Sequence, residues 1–298
     1  MTKRLGAMLV VMLLGAIAAA QVQQGLGDYL DVFTVQVKPE KRAEFDAINA
    51  KMVAANRQNK GDTWLAMETM YGPGNRVTFI STRTSYGDIE AAMGAFYGAM
   101  GKALGKAGTD KVFQDFNECI LSSRSEIRRR RWDLSSNAPT DAAAYAKFIA
   151  DSRYLRTVAV HVKPGEAPAF EDLLKDLKAA REKANLTAFV SQAVAGQEGT
   201  VYYITTLEPN LAGYDSIPTA QKLLGDEGYA KYLKVTAETV SDSETVINHF
   251  LPEISNPPEP IVAAAPDFWK PKMAVAKAAK APATNAAEKE KMGAKDKQ

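Results

Sequence analysis

The stretch YLDVFTVQVKP at residues 29–39 returns as YLRTVAVHVKP at residues 154–164, 125 positions later. The same offset relates Phe45 to Phe170, and an offset of 124 relates residues 77–80 (VTFI) to residues 201–204 (VYYI). A series of matches at nearly constant spacing indicates an internal repeat. The sequence therefore predicts that one structural unit occurs twice.

Each copy has the periodicity of a β-α-β-β-α-β unit. The first copy predicts strand 30–38, helix 40–57, strands 64–71 and 76–83, helix 89–121 with a break at 105–108, and strand 125–132. The second copy predicts strand 155–163, helix 167–184, strands 187–194 and 200–206, helix 217–239 and strand 243–250. The sequence Gly72-Pro73-Gly74-Asn75 is a strong hairpin pattern between two of these strands.

These patterns predict an α+β fold of two tandem ferredoxin-like units. Such a unit has both helices on one face of a four-stranded antiparallel sheet. The bare faces of two units are expected to pack sheet to sheet as a pseudo-dimeric α+β barrel. The predicted segments are a signal peptide at 1–20, a first unit at 29–132, a connector at 133–152, a second unit at 153–254, and a disordered Ala/Lys/Pro-rich tail at 255–298.

A family resemblance rests on the Val-Lys-Pro turns at residues 37–39 and 162–164, each followed by a phenylalanine six residues beyond the proline. This pattern resembles the dimeric α+β barrel superfamily across residues 29–254. Members include antibiotic-biosynthesis-monooxygenase-like, EthD-like and NIPSNAP-like proteins and the haem-handling chlorite dismutases. The resemblance implies a fold more than an activity, because one fold hosts many functions.

The first residues have the pattern of a secretory signal peptide. Lys3 and Arg4 precede an apolar run over 5–20 that ends in three alanines, which predicts cleavage after Ala20 and a periplasmic or extracellular protein. A membrane anchor is disfavoured because the run is short and its end is typical of a cleavage site. No later run approaches the roughly 18 apolar residues of a membrane span, so we expect no stable membrane insertion after cleavage.

Charge argues against one class of partner, and the cysteine content excludes an internal disulfide. Removing Lys3 and Arg4 leaves 35 basic residues against 35 acidic ones, which argues against nucleic acid as a partner. The single cysteine, Cys119, cannot form an internal disulfide and is expected to be buried. The aromatic pair Phe268-Trp269 is the part of the tail expected to dock on the body.

Strand alternation predicts the direction of one histidine. Three alternating valines, Val158, Val160 and Val162, are expected to face the helices, so His161 points into the barrel. Gln36 is its counterpart in the first copy. His161 is therefore a candidate general base, and the alternative is a histidine that only hydrogen-bonds between the sheets.

Other candidate ligand-binding residues come from the last strands and the hairpins. His249 aligns with the arginine run at residues 128–131. Within this run, Arg129 and Arg131 are the pair expected to hold a carboxylate or phosphate at the barrel rim. The alternative for this run is a charged edge strand guarded against aggregation. Tyr203, like the other hairpin aromatics, is a candidate for lining a pocket or for ordinary core packing.

We expect no metal or other cofactor. The two histidines lie far apart with no clustered acids or thiolates, and no phosphate loop or nucleophile motif is present. The resemblance places the haem-ligating histidine of haem-binding relatives on a helix, whereas His161 and His249 lie on predicted strands.

These features predict a non-catalytic exported protein that binds a small molecule or a partner, with a homo-oligomer left open. The few polar residues that face the barrel differ between the copies, which favours this reading. The alternative is a cofactor-free monooxygenase- or isomerase-like enzyme for a small acidic or aromatic substrate, with His161 as base.

Overall fold

The computed structural model describes residues 26–270, which form eight strands and seven helices. The strands are β1 (Tyr29–Val37), β2 (Leu65–Tyr71), β3 (Arg76–Arg83), β4 (Ile120–Arg130), β5 (Tyr154–Val162), β6 (Phe189–Ala195), β7 (Thr200–Glu208) and β8 (Val240–Phe250). The helices are α1 (Arg42–Asn59), α2 (Tyr86–Cys119), α3 (Ala142–Asp151), α4 (Ala167–Lys183), α5 (Ala220–Thr239), α6 (Glu259–Ala264) and α7 (Pro266–Trp269). The predicted signal peptide and residues 271–298 of the predicted tail lie outside the described residues.

The eight strands form one closed antiparallel barrel in the order β1-β3-β2-β8-β5-β7-β6-β4, with β4 returning to β1. Two seams join the halves of the chain. At one seam Glu68 of β2 lies opposite His249 of β8, and at the other Arg129 of β4 lies opposite Gln192 of β6. The two halves are therefore joined edge to edge by backbone hydrogen bonds, rather than only face to face.

This closure corrects the alternative that the arginine-rich strand is a guarded edge. β4 pairs with β1 along nearly its whole length and with β6 over residues 127–130. A closed barrel leaves no strand edge unpaired, so charge is not needed there to prevent aggregation.

The strands pack one face against the helices and turn the other to the barrel interior. In the first half, Val35 and Val37 of β1 pack with Phe45 of α1. In the second half, Val160 and Val162 of β5 occupy the same place in a cluster with Leu173 and other residues of α4. Alternation along each strand then points the intervening side chains inward, as predicted for β5.

The hairpin of the second half corrects the predicted alignment of the copies. Thr78 lies opposite Thr34, and Tyr203 lies opposite Ala159, so β3 and β7 correspond at an offset of 125 rather than 124. The strands before the turn, which end near Gly72 and Gly196, keep the offset of 124. Residues 69–76 connect the last paired residues of the first hairpin, and residues 193–201 connect those of the second. The second connection is one residue longer, which returns the offset from 124 to 125.

Both long helices contain a glycine with non-helical backbone angles. Gly105 interrupts α2 at φ 67°, ψ 174°, inside the predicted break. Gly225 interrupts α5 at φ 69°, ψ 176°, within a segment for which the sequence predicts an unbroken helix. Glycine adopts this positive φ at little steric cost, whereas other residues are strained there. Each kink follows a leucine, Leu104 or Leu224, and the two kinks lie 120 positions apart.

One end of the barrel is covered by the connector and by the start of the predicted tail. Helices α3 and α6 pack together, and the Trp269 side chain is fully buried in their cluster. Its indole Nε1 donates a hydrogen bond to the Ala150 carbonyl (3.3 Å), and its ring lies 5.1 Å from that of Phe250. Residues 255–270 are thus folded, unlike the predicted tail, because burying Trp269, Ile261 and Val262 offsets the entropy of ordering a short segment.

No helix among residues 26–270 combines the length and the apolar character needed to cross a membrane.

Trp269→Ala tests whether residues 255–270 belong to the folded body. Removing a fully buried tryptophan should lower the free energy of unfolding by about 3–5 kcal/mol. Urea unfolding followed by circular dichroism measures the change. The neighbouring Lys270→Ala should change it by less than about 0.5 kcal/mol. Equal unfolding midpoints for Trp269→Ala and the parent protein would contradict the docking described here.

Candidate functional site

The barrel encloses a cavity of about 510 Å³, within the size range of small-molecule sites. Its wall consists of inward-facing side chains from all eight strands. The two ends of the cavity differ in chemistry: one end is closed and apolar, and the other is polar and more exposed.

The closed end of the cavity is apolar. Leu155 of β5, Leu207 of β7 and Phe250 of β8 are all buried there. Ile149 of α3 and Ile261 of α6 lie across the same end. The connector and residues 255–270 therefore shield this part of the cavity from water.

The other end is polar and more exposed. Arg76 of β3 and Glu244 of β8 form an ion pair across the two halves (3.2 Å). Gln36 lines this mouth, and its Nε2 donates a hydrogen bond to the Gly74 carbonyl (2.6 Å). A small molecule can enter the barrel from this end.

A buried polar cluster centres on Glu126 of β4, which is only 5% exposed. Its carboxylate accepts hydrogen bonds from Gln197 Nε2 (2.7 Å), Tyr203 Oη (2.9 Å) and Arg128 Nε (2.9 Å). The Arg128 guanidinium also stacks over the Tyr203 ring, 3.4 Å from its centroid. Burial raises the pKa of Tyr203 to about 12, so the phenol stays protonated and donates to Glu126. The Glu126 carboxylate is fully engaged and its charge is balanced by Arg128.

Arg130, two residues further along β4, is in a different environment. It is 8% exposed and lines the cavity. Its Nη2 donates to Thr82 Oγ1 (3.0 Å) and Tyr145 Oη (2.7 Å), and its guanidinium carbon lies 5.0 Å from the centroid of the Trp132 ring. Its Nε is buried without a hydrogen-bond partner, and among residues 26–270 it forms no ion pair.

The predicted direction of His161 is confirmed, since it lines the cavity near the mouth. Its ring makes no hydrogen bond to any of residues 26–270. Val201 on β7 and Asp242 on β8 lie opposite it, and Asp242 is exposed and forms no ion pair with it within the described residues. The imidazole is therefore free to contact a bound molecule, and the alternative that it hydrogen-bonds between sheets is not supported.

Arg129 and Arg131 do not line the cavity, and this corrects the predicted arginine pair. Arg129 lies opposite Tyr29 and is exposed on the outer face. Arg131 binds Glu171 of α4 (2.5 Å) and Asp133 (2.7 Å) outside the barrel. Register with β1 turns the even-numbered arginines of this run inward, so the inward pair is Arg128 and Arg130.

His249 also lies on the outer face, which is a second correction. Its Nε2 is 3.9 Å from Glu68, which is itself paired with Arg42 of α1. Its inward neighbour Asn248 lines the cavity and accepts a hydrogen bond from Thr69 Oγ1 (2.8 Å). The His249 side chain therefore cannot contact a molecule in the barrel.

Of the remaining predicted residues, Gln36 and Tyr203 line the cavity as expected. Sequence reasoning missed Glu126, Arg128, Arg130 and Gln197. The alternation of Glu126, Arg128 and Arg130 along one face was visible in the sequence. Which face it occupied depended on pairing with distant strands.

The donor set does not fit the haem ligation of the resembling proteins. Both histidines of the chain lie on strands, so no helix of this chain offers the imidazole that such ligation needs. Residues 26–270 contain no cluster of three or more histidine, cysteine or acidic side chains that suits a metal ion.

No family model matches the chain, and no curated protein matches it. Solved structures do resemble its fold. An anthrone oxidase-like protein is 13% identical, with a TM-score of 0.49, and the match covers 77% of this chain and 93% of that one.

Two further structures resemble this chain. A proposed monooxygenase from Lactobacillus acidophilus is 11% identical, with a TM-score of 0.47, and the match covers 75% of this chain and 94% of the other. A mutant chlorite dismutase from Candidatus Nitrospira defluvii is 10% identical, with a TM-score of 0.45, and the match covers 82% and 99%.

The sequence predicts a non-catalytic binding protein, whereas these structures of similar fold are named as enzymes or enzyme-like proteins. Identities this low carry no particular activity over to this chain. The chemistry open to this chain therefore depends on the residues of the cavity.

A pH measurement tests the outer, structural role of Arg131. Its hydrogen bonds hold the pKa of Glu171 and of Asp133 below their usual values. Groups with a lowered folded-state pKa add stability above the ordinary carboxyl pKa of about 4, and this stability is lost as the pH falls through the folded value. Thermal unfolding between about pH 6 and pH 3 should therefore show a smaller loss of stability in Glu171→Gln than in the parent protein.

Asp110→Asn is the matched control, since Asp110 belongs to an exposed pair with Lys106. Parallel stability curves for Glu171→Gln and the parent protein would show that Arg131 has no such role.

Proposed function

We propose that this protein is a cofactor-free enzyme that removes a proton from a small substrate bound in the barrel, with His161 as general base. The observation that carries the proposal is the state of His161. It lines the cavity and makes no hydrogen bond to residues 26–270. Histidine is the side chain best suited to proton transfer near neutral pH.

The other groups of the cavity that could accept a proton support this assignment, because they are already engaged or held protonated. Glu126 accepts three hydrogen bonds, and Glu244 is paired with Arg76. Tyr203 is held protonated by burial, which raises its pKa to about 12. Among residues 26–270, His161 is therefore the inward-facing side chain that is free to accept a proton.

The proposed step balances without a further reactant. A ring nitrogen of His161 accepts the proton of an acidic C–H group, which leaves an imidazolium and a substrate carbanion. Returning the proton to a different carbon completes an isomerisation. The same first step precedes a cofactor-free oxygenation, in which the carbanion reacts with dioxygen.

Exchange of substrate protons with deuterium tests this step directly. Phenylpyruvate, a small aromatic acid with an acidic C–H group, is incubated with the protein in D₂O, and loss of the C–H signal is followed by proton NMR. The parent protein should accelerate exchange over buffer, and His161→Gln should lower this acceleration by roughly 10²–10⁴-fold.

His249→Gln is the matched control, because His249 lies on the outer face and should leave the exchange rate unchanged. Equal exchange by His161→Gln and the parent protein would remove His161 from the chemistry, and exchange no faster than buffer would count against the proposed activity.

We also propose that the barrel arose by duplication of a ferredoxin-like unit of the dimeric α+β barrel superfamily. The repeated order of elements and the shared leucine-glycine kinks at Gly105 and Gly225 support this origin. The spacing falls from 125 at the first strands to 120 at the kinks, because helical residues 86–104 before Gly105 are matched by a loop and the short helical stretch 220–224 before Gly225.

Export from the cytoplasm belongs to the same proposal, on the pattern of residues 1–20. N-terminal sequencing of the full chain expressed in a bacterium should give Gln21 as the first residue of the periplasmic or secreted protein. Recovery only in the cytoplasm with Met1 or Thr2 at the N-terminus would contradict it.

A further inference from the structure

We propose that Arg130 is the carboxylate-binding residue of the cavity, which therefore takes small monocarboxylates with an apolar or aromatic body. This inference rests on the proposed function in that it names the substrate class of the same site. Its own support comes from the burial, charge and surroundings of Arg130.

Burial of an arginine without an acidic partner is costly, because the guanidinium loses its hydration and stays charged. Arg130 is 8% exposed, its Nε has no partner, and its contacts are the neutral hydroxyls of Thr82 and Tyr145. Arg83, whose Nε is likewise buried without a partner, shows the usual solution for the charge in this same protein. It is 6% exposed and bound to Asp62 (2.6 Å). The missing counter-charge at Arg130 is the one that a bound anion would supply.

The charge beside Arg130, as distinct from that of Arg124 nearer the mouth, matches a monoanion. Glu126 neutralises Arg128 at 2.8 Å, so the Arg128, Glu126 and Arg130 set carries one net positive charge. A carboxylate matches this charge, whereas a phosphate monoester near neutral pH would exceed it. A planar guanidinium also fits the two oxygens of a carboxylate.

The surroundings of Arg130 define the rest of the ligand. Trp132 and Tyr145 present aromatic rings beside it, and Leu155 and Leu207 line the adjacent closed end. These side chains offer contact to an apolar body but few hydrogen bonds. A small aromatic or aliphatic acid therefore matches the cavity better than a sugar acid.

Register relates this anion site to the proposed base through three successive strand pairs. Arg130 lies opposite Ser191, Ser191 opposite Tyr203, and Tyr203 opposite Ala159. His161 is the next inward-facing residue along β5, about 7 Å further toward the mouth. A carboxylate held at Arg130, with its apolar body in the closed end, would thus present its carboxylate end to the side of the cavity that holds His161.

Binding of benzoate, measured by isothermal titration calorimetry on the full chain, tests the inference without requiring turnover. Benzamide is the neutral ligand of similar shape, and phenyl phosphate is the dianion. We expect benzoate to bind at least tenfold more tightly than either. We expect Arg130→Gln to weaken benzoate binding at least tenfold, because it removes a charge-assisted contact.

Arg129→Gln is the matched control, since Arg129 is the adjacent arginine on the outer face and should bind benzoate as the parent does. Equal affinity for benzoate and benzamide, equal affinity of Arg130→Gln and the parent protein, or no benzoate binding at millimolar concentration would overturn the inference. Tighter binding of phenyl phosphate than of benzoate would also overturn it.

Two further variants keep the test decisive. If Arg130→Gln does not fold, Arg130→Lys replaces it. Lysine keeps the charge and loses the planar fork, so its benzoate affinity should fall and its preference for benzoate over benzamide should remain. His161→Gln should bind benzoate as the parent does. Benzoate binding by the parent protein with no acceleration of deuterium exchange, or with equal exchange by His161→Gln, would contradict the proposed base but not the anion site.

Discussion

Backbone pairing between β4 and β6, together with that between β2 and β8, is the interaction on which the rest of this structure depends. Each seam joins strands from different halves of the chain, and the register at each seam is set by few residues. Without the seams, each half would be an open sheet with two free edges and a bare face. With them, the bare faces become the wall of one enclosed cavity, and every inward side chain has a defined neighbour.

Closure also determines the chemistry of the cavity. Because β4 is held on both sides, its alternation fixes Glu126, Arg128 and Arg130 inside and turns Arg129 to solvent. The inward groups then divide into a balanced cluster around Glu126 and a buried cation at Arg130. His161, which lies on β5 in the second half of the chain, completes the arrangement. An acid–base group and an anion-binding group thus come from different halves of the chain, so neither half alone contains the whole proposed site.

Some of this was predictable from sequence because it depends on local patterns. The valines of β5 mark the face that packs on the helices, so the direction of His161 followed from alternation alone. The arginine run gave no such guide, since four identical residues occupy both faces and only pairing with β1 decides between them. The sequence predicts a tail from residue 255 because its Ala/Lys/Pro-rich composition lacks the apolar spacing of a folded element. The order of residues 255–270 depends on the burial of Trp269, which composition does not reveal.

The central claim is that the closed barrel holds an unpaired guanidinium ready for a carboxylate. Nitrogen-15 NMR of the arginine Nε–H groups tests it most directly, because Arg130 Nε lacks a partner whereas Arg131 Nε already donates to Asp133 (3.0 Å). Adding benzoate should shift the Arg130 Nε–H resonance in a saturable way and leave that of Arg131 unchanged. An Arg130 resonance that does not move, or that moves no more than that of Arg131, would contradict the account.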